Sequence, residues 1–492
     1  MLLLPVHIAY GALSMFISLL NNVFILFYVT TFTNVFKIDS GSFYIGETIF
    51  LIWNSINDPL FGWMSDGSTL SGKKKVHNDV VLMRIRALAF HGPLFAFSFL
   101  LFWFSIFPVG LQFSLALCLY DSFLTMVDLN HQALLADLTV KANDRVTLNF
   151  FCSVFSAAGS LSVFVAFALW NDKNIGNFQI YCVILSIFVC VGFQICCKSM
   201  ESHYKSFSKQ IFVNSSKLKD QHSSIFAART YIRQILRHKN FLVFTVMNLV
   251  QVFHCHFNSN FFPLFIQYLL GHALTPSGGA MLLGLSFLAP HINNLYFLQL
   301  CKKYGVYKVI QTLFIIKLSL ALLAYYLGTS YWYFLCFFIV SNRVFTEGTC
   351  KLLNIVISDL VDEDFVKFQR KSPVSALIFG TSALLSKPGQ TIAPLLGTYL
   401  LYLKTGKSIF ISEGTTSETV SKLSYNIEST YSNNESFLTF QDGLFSLIVF
   451  IPITVALVQL FAWHFFTLHG QYLHKIKLNR QQFESGYSEL NI

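Results

Sequence analysis

Long apolar stretches alternate with short polar connections along almost the whole chain. Twelve of these stretches reach the length of about 20 residues that an α-helix needs to cross a bilayer. They lie at about 8–31, 43–64, 87–107, 113–136, 149–170, 178–197, 240–268, 277–300, 309–328, 332–356, 374–403 and 441–467. The pattern predicts an all-α membrane protein with twelve transmembrane helices.

Composition and charge support this prediction. The chain is 54% hydrophobic and 12% charged, whereas soluble domains carry about 25% charged residues. If the N-terminus is cytoplasmic, the inside segments hold 25 lysines and arginines and the outside loops hold five. This bias follows the positive-inside rule and predicts that both termini are cytoplasmic. The net charge of +10 therefore indicates topology rather than nucleic-acid binding, for which no soluble domain is long enough.

A long polar connection divides the chain into two sets of six helices. The predicted organisation is an N-terminal half at 1–197, a cytoplasmic linker at 198–239, a C-terminal half at 240–467 with an extracellular loop at 404–440, and a cytoplasmic tail at 468–492. An Asp-Leu pair followed by an arginine recurs in corresponding loops, at Asp137 with Arg145 and at Asp359 with Arg370. The repetition predicts two pseudo-symmetric halves. Because Met1–Tyr10 lacks a basic region and a cleavage site, the first helix is expected to act as the insertion signal.

An ionisable carboxylate, Asp58, lies inside predicted helix 2. A charge at the centre of a bilayer costs about 2.5–3.5 kcal/mol or more, so such residues usually face a cavity and serve a function. Asn54 lies one turn earlier on the same face, and Pro59 deprives the Ser55 carbonyl of its helical partner. Together these groups predict an oxygen-rich pocket for a proton or an alkali cation. A buried carboxylate with a purely structural partner is the alternative.

Helix 4 carries a polar stripe. Asp121, Thr125, Asp128 and Gln132 follow i, i+4, i+7, i+11 spacing and share one face. Two acids, a hydroxyl and an amide do not face lipid, so the stripe is predicted to line a substrate cavity. Hydrogen bonding between helices is the alternative.

Three further groups of intramembrane polar residues are candidates for coupling or gating. Lys387, near the middle of helix 11, is a predicted partner of Asp58. Arg343, Glu347 and Lys351 are spaced four apart on helix 10, which predicts a salt-bridge ladder or a gate. Glu47, about three turns before Asp58, suits an outer gate.

Four segments carry a family resemblance. The motif from Asn57 to Trp63 (Asn-Asp-Pro-Leu-Phe-Gly-Trp) resembles helix 2 of the glycoside–pentoside–hexuronide cation symporters, a branch of the major facilitator superfamily. Thr125-Met126-Val127-Asp128 is similar to the segment that supplies a sugar-binding aspartate in melibiose permease, and Arg145 follows at the corresponding spacing. Ser386-Lys387-Pro388-Gly389 matches a lysine near the cation site. Most closely, residues 21–66 resemble the transmembrane-protein-180 family, also called major facilitator superfamily domain-containing 13.

The resemblance has departures that bear on coupling. The bacterial symporters place a second carboxylate where this chain has Asn54, and a helix-1 aspartate used for sugar falls on Ser18. Sodium dependence is therefore not implied, and either H⁺ or Na⁺ is a candidate coupling ion. The superfamily pattern also implies a gating role for the loop that contains Asp66.

The sequence thus predicts a secondary transporter, not an enzyme, because Walker and hydrolase motifs are absent. The expected substrate is a sugar-like or other small organic solute, moved with a cation or proton. The alternatives are a lysolipid or amphiphile carrier and a cell-surface scaffold or receptor that does not transport. No cofactor, metal or obligate protein partner is expected beside the substrate and membrane lipids. Asn434 begins a glycosylation triplet, and Tyr487-Ser488-Glu489-Leu490 indicates the plasma membrane with endosomal cycling.

Overall fold

The computed structural model describes residues 4–70, 77–171, 174–208, 224–271, 273–370, 372–405 and 434–489. Within these ranges the regular structure is helical, without strands. The helices are α1 (Val6–Thr30), α2 (Ser40–Leu70), α3 (His77–Leu100), α4 (Val109–Leu138), α5 (Ala142–Ser160), α6 (Ser162–Leu169), α7 (Gly176–Ser208), α8 (Ser224–Ile235), α9 (Lys239–Leu264), α10 (Pro276–Tyr304), α11 (Val306–Leu327), α12 (Trp332–Lys367), α13 (Ser375–Ser386), α14 (Pro388–Thr405), α15 (Asn434–Phe465) and α16 (Gly470–Glu489).

The all-α membrane fold is confirmed. Among the described residues, seven helices are long and apolar enough to cross a membrane: α1, α3, α4, α7, α9, α11 and α15. The other predicted stretches correspond to α2, α5 with α6, α10, α12, and α13 with α14. These five are helical but more polar or interrupted, so the number of twelve spans stays a prediction.

Corresponding helices of the two predicted halves share the same interruptions. The first helix of each half ends in a π-helical turn, Thr31–Val35 after α1 and Phe265–Leu269 after α9. The fifth stretch of each half also breaks, at Leu161 between α5 and α6 and at Lys387 between α13 and α14. Pro388 explains the second break, because it lacks the N–H that a continuous helix needs. The shared interruptions favour duplicated halves.

The chain forms two compact units. The first contains 1–241, 354–384 and 468–492, and the second contains 242–353 and 385–467. The end of α12, most of α13 and the whole of α16 thus belong with the N-terminal helices. The buried ion pairs described below explain this grouping. The predicted division into six and six helices stays a prediction.

Aromatic side chains fill the core of each unit. In the first, Phe24 packs on Tyr120 with ring centroids 4.4 Å apart, and Phe27 packs on Phe178 at 5.1 Å. In the second, Phe257 and Phe261 stack along one face of α9 at 4.7 Å. Aromatic pairs of this kind contribute about 0.5–1.5 kcal/mol beyond their buried area. They hold α1 against α4 and α7 and so fix the helices that carry the polar groups.

Candidate functional site

Asn57 joins α2 to the polar stripe of α4. Its side-chain Nδ2 donates to Asp121 Oδ2 at 2.5 Å and to Thr125 Oγ1 at 3.2 Å. One turn earlier, Trp53 Nε1 donates to Ser122 Oγ at 2.9 Å. Asn57, Asp121 and Thr125, together with Asp58, are buried. We call Asn57, Asp58, Asp121 and Thr125 the α2–α4 polar cluster: Asn57 is hydrogen-bonded to the two α4 side chains, and Asp58 is the next residue of α2.

The backbone of α2 is closely packed at this cluster. A Cβ added to Gly380 of α13 would lie 2.5 Å from the Asp58 carbonyl oxygen, and one added to Gly62 would lie 2.8 Å from the Ala376 carbonyl oxygen. Only glycine permits such an approach without displacement of a helix. The Asp58–Pro59 segment is therefore held from one side by α4 and from the other by α13.

The rest of the α4 stripe forms a separate pair. Gln132 Nε2 donates to Asp128 Oδ2 at 2.6 Å, and both side chains are half-buried. Beside them, the Tyr10 ring stacks on His131 at 4.2 Å. Ser18 of α1 is half-buried and lies close to Gly159 of α5. The predicted stripe is thus divided into two pairs. Asp121 and Thr125 are hydrogen-bonded to α2, and Asp128 and Gln132 are hydrogen-bonded to each other within α4.

A first buried ion-pair network fixes the end of α2. Arg84 of α3 binds Asp66 Oδ1 at 2.5 Å and Asp137 Oδ2 at 3.2 Å. The other oxygen of Asp66 accepts from the Leu377 backbone N–H at 3.0 Å, and Ser375 donates to Asp137. All three charged side chains are at most 1% exposed. Asp66 therefore links α2 to α3 and to the start of α13.

A second network lies around Arg145. Its guanidinium binds Asp359 Oδ1 at 2.9 Å and Asp362 Oδ2 at 2.7 Å, and donates to the Ala136 carbonyl at 3.1 Å. Arg480 of α16 pairs with the same Asp362, and Lys477 binds Asp359 Oδ1 at 2.7 Å. Two arginines thus share one fully buried carboxylate. The arrangement joins the α4–α5 connection, the end of α12 and the tail helix.

The neighbouring acids of α12 extend this network. Asp364 binds Arg370, with Nη2–Oδ1 at 2.8 Å, and Glu363 accepts from Asn240 Nδ2 at 2.8 Å and from Tyr472 OH at 3.0 Å. Partial burial, and next the Glu363 carboxylate, raise the pKa of Tyr472 to about 12. Tyr472 therefore remains a hydrogen-bond donor throughout the physiological range of pH.

The second unit contains a buried polar chain. Lys317 Nζ of α11 donates to Gln459 Oε1 at 2.5 Å, Gln459 Nε2 donates to Gln251 Oε1 at 2.5 Å, and Gln251 Nε2 donates to the Thr346 carbonyl at 2.7 Å. The two amide groups point their oxygens toward the ammonium group, and this orientation of their dipoles favours its positive charge. Asn258 also donates to Thr346 Oγ1, at 3.1 Å. Four helices of this unit are tied together by these bonds.

The remaining predicted residues lie on α2 and α12, in the turn before α14 and at the start of α15. Glu47 accepts from Tyr28 OH at 3.4 Å, which ties α2 to α1. Asn54 is half-buried on α2. Arg343 is buried with its guanidinium 5.4 Å from the Phe262 ring, and Glu347 and Lys351 are half-buried farther along α12. Lys387, in the turn before α14, is half-buried in the second unit. Asn434 is the first residue of α15, whereas most of the 404–440 loop lies outside the described residues.

Several residues of these networks were not predicted from the sequence. They are Asp362, Asp364, Lys477 and Arg480 in the first unit and Lys317 and Gln459 in the second. The run Asp362-Glu363-Asp364 at the end of an apolar stretch was the available signal, because three consecutive acids there need cationic partners. The sequence around Arg480 carries no comparable signal.

Comparison with known proteins agrees with this architecture. The family described as "MFS/sugar transport protein" matches residues 7–470. A Gallus gallus protein named Transmembrane protein 180 is 51% identical over 98% of this chain and 96% of its own length. A Mus musculus protein of the same name is 50% identical over 97% and 95%.

Solved structures show the same fold at low identity. A bacterial homologue of the iron transporter ferroportin, in an outward-facing state, has a TM-score of 0.61 with 12% identity and covers 94% of this chain and 99% of its own. The major facilitator superfamily transporter FucP, in the outward conformation, has a TM-score of 0.51 with 12% identity over 94% and 98%.

Proposed function

The chain belongs to the MFS/sugar transport protein family, and from that premise we propose that it is a cation- or proton-coupled secondary transporter. It would move a sugar-like or other small organic solute by alternating access. Its multi-pass membrane character is shown by its family and its apolar helices. The plasma membrane, with both termini in the cytoplasm, is the location that we propose.

The α2–α4 polar cluster is the observation that carries this proposal. The position one turn before Asp58, where the bacterial symporters place an acid, is Asn54 in this chain. The Asn57–Asp121 hydrogen bond supports Asp121 as the second acid, supplied by α4 instead. Carboxylate, amide and hydroxyl oxygens suit a hard cation, and intramembrane aspartates also serve as proton carriers. We therefore propose Asp58 and Asp121 as the coupling pair, with Asn57 and Thr125 as neutral ligands.

The Asp128–Gln132 pair supports a hydroxylated solute as substrate. Carboxylate and amide groups on a fixed helix hold hydroxyl groups through directed hydrogen bonds. Ion or proton binding at Asp58, followed by substrate occupancy, is proposed to permit the rocking step, with Lys387 as a further candidate coupling residue. The Arg145–Asp362–Arg480 network would separate when the cytoplasmic side opens.

The test is uptake by the purified full chain in liposomes. A panel of sugars, polyols and lysolipids is presented with and without a sodium gradient and a pH gradient. Asp58→Asn and Asp121→Asn are expected to abolish the ion dependence of uptake, because each removes a carboxylate from the cluster. Asp144→Asn, at an exposed acid of α5, is the matched control and should behave as wild type.

Three outcomes would contradict parts of this proposal. Unchanged ion dependence in Asp58→Asn would remove Asp58 from coupling. Uptake of lysolipid but not of sugar would establish the amphiphile carrier. If the wild-type chain moved no solute of the panel, the non-transporting scaffold would become the better explanation.

A further inference from the structure

Helix α8 precedes the apolar span of α9 and presents a basic and apolar outer face. Arg229, Ile232, Arg233, Leu236 and Arg237 follow i, i+3, i+4, i+7, i+8 spacing, and all five are exposed. The helical hydrogen bonding continues past Ile235, because the Leu236 N–H donates to the Ile232 carbonyl at 3.0 Å. We call these five residues the α8 outer face.

The opposite face of α8 fixes the helix to the first unit. Tyr231 and Ile235 are 5% exposed. The Tyr231 hydroxyl lies 3.0 Å from Thr381 Oγ1, and the Arg370 guanidinium lies 5.6 Å from the centre of its ring. Because the inner face is anchored in this way, the outer face keeps a set orientation instead of packing onto its own unit.

The exposed aliphatic side chains on this face need an apolar environment. Ile232 is 57% exposed and Leu236 is 63% exposed, although both lie in a helix with a well-buried opposite face. Leu236 precedes Lys239, the first residue of a membrane-length span, by three positions. The position of the two side chains just before the span is where an interfacial helix buries its apolar residues, between the headgroups and the acyl chains.

The positive charge of the α8 outer face indicates that it binds an anionic membrane surface. Its three arginines make no ion pair within the described part of the chain. No acidic residue occurs in the sequence between Asp220 and Glu347, so neither α8 nor the start of α9 supplies an acid beside them. Clusters of basic residues beside a span are attracted to anionic headgroups.

We propose that the α8 outer face is a binding site for anionic phospholipid, with the arginines on headgroup phosphates and carboxylates and the two aliphatic side chains at the acyl boundary. The proposal is independent of the transported solute. It assigns to the middle of the chain a lipid-recognition function in addition to transport.

The test is native mass spectrometry of the purified full chain in neutral detergent, titrated with phosphatidylserine or phosphatidylcholine. Each arginine near an anionic surface is worth about 1 kcal/mol, which corresponds to roughly a fivefold change in affinity. Neutralising all three, as Arg229→Gln/Arg233→Gln/Arg237→Gln, is expected to weaken phosphatidylserine binding by about 100-fold. Binding of phosphatidylcholine should be weaker in the wild type and unchanged by the substitutions.

A control variant removes the same charge elsewhere. Lys302, Lys303 and Lys308 are exposed at the junction of α10 and α11, and their triple replacement by glutamine should leave phosphatidylserine binding intact. Ile232→Ser/Leu236→Ser should weaken lipid binding with the arginines in place, because the acyl contact is lost.

Three results would overturn the proposal. The first is wild-type phosphatidylserine affinity in the arginine variant. The second is equal affinity of the wild type for the two lipids. The third is displacement of bound lipid by soluble glycerophosphoserine, because an acyl-free headgroup would then suffice and the leaflet would not be the ligand.

Discussion

Replacing Asp362 by asparagine removes the carboxylate that two buried arginines share. Arg145 donates to both of its oxygens, at 2.7 and 2.9 Å, and Arg480 pairs with the same group. All three side chains are 0% exposed. The substitution keeps the size of the side chain but leaves two guanidinium groups short of a negative charge.

The expected loss of stability follows from the number of buried ion pairs that the substitution breaks. Removing one partner of a buried ion pair costs about 3–5 kcal/mol, because the other charge remains buried without compensation. Arg145 retains Asp359 at 2.9 Å, whereas Arg480 loses its ion pair with Asp362. We therefore expect Asp362→Asn to lower the free energy of unfolding by about 5 kcal/mol, the upper end of that range. Asp364→Asn removes a carboxylate that pairs with one arginine, Arg370; it is the matched control, and its loss should lie near about 3 kcal/mol, the lower end of the range.

The assay is equilibrium unfolding in mixed micelles. The unfolded fraction is measured by the alkylation of three thiols that are buried in the folded chain, those of Cys182, Cys197 and Cys301. Adding Arg480→Gln to Asp362→Asn should recover part of the loss of stability, since it removes one of the two buried cations that pair with Asp362. Interacting sites of this kind show coupling energies of about 0.5–3 kcal/mol. A loss below about 1 kcal/mol for Asp362→Asn, or strict additivity with Arg480→Gln, would refute the shared-carboxylate reasoning.

Two further predictions rest on contacts of the described residues, and a third rests on the glycosylation triplet of the sequence. Gly380→Leu should lower thermal stability and raise protease sensitivity, because its side chain meets the Asp58 carbonyl, whereas Gly176→Ala should have little effect. Burial lowers the pKa of His238 below 6.5, so the unfolded chain binds more protons and stability should rise with pH up to about 6.5. His238 Nδ1 accepts a hydrogen bond from a backbone N–H at the start of α9. His238→Asn keeps an acceptor for this N–H but does not titrate, so the pH dependence of the melting temperature between about pH 5 and 8 should become flatter. Glycosidase treatment should reduce the mass of the wild type expressed in animal cells but not that of Asn434→Gln.

The helices were predictable because their signal is local. A run of about 20 apolar residues specifies a span without knowledge of its neighbours. Helical periodicity also placed Asp121 and Thr125 on one face of a helix, and in the structure both side chains accept hydrogen bonds from Asn57 of α2. The resemblance to the transmembrane-protein-180 family was confirmed by relatives about half identical over nearly the full length.

The ion pairs were not predictable for the opposite reason. Arg480 meets Asp362 across 118 positions, and Arg145 meets it across 217. A sequence shows that buried charges need partners, but not which distant arginine supplies them. Lys317 illustrates the same limit, since its partner Gln459 is a neutral residue 142 positions away. The π-helical ends of α1 and α9 were also missed, because their composition matches that of ordinary apolar helix.

The tail helix α16 has a consequence for the order in which the protein matures during synthesis. Arg145 emerges from the ribosome 217 residues before Asp362, a delay of roughly 10–40 s at ordinary translation rates. During that interval its charge has no carboxylate from α12, and Asp362 then waits again for Arg480. The first unit is therefore the first to be synthesised in part and the last to have all of its buried ion pairs formed. A fusion or truncation at the C-terminus acts on the earliest helices of the chain as much as on the latest.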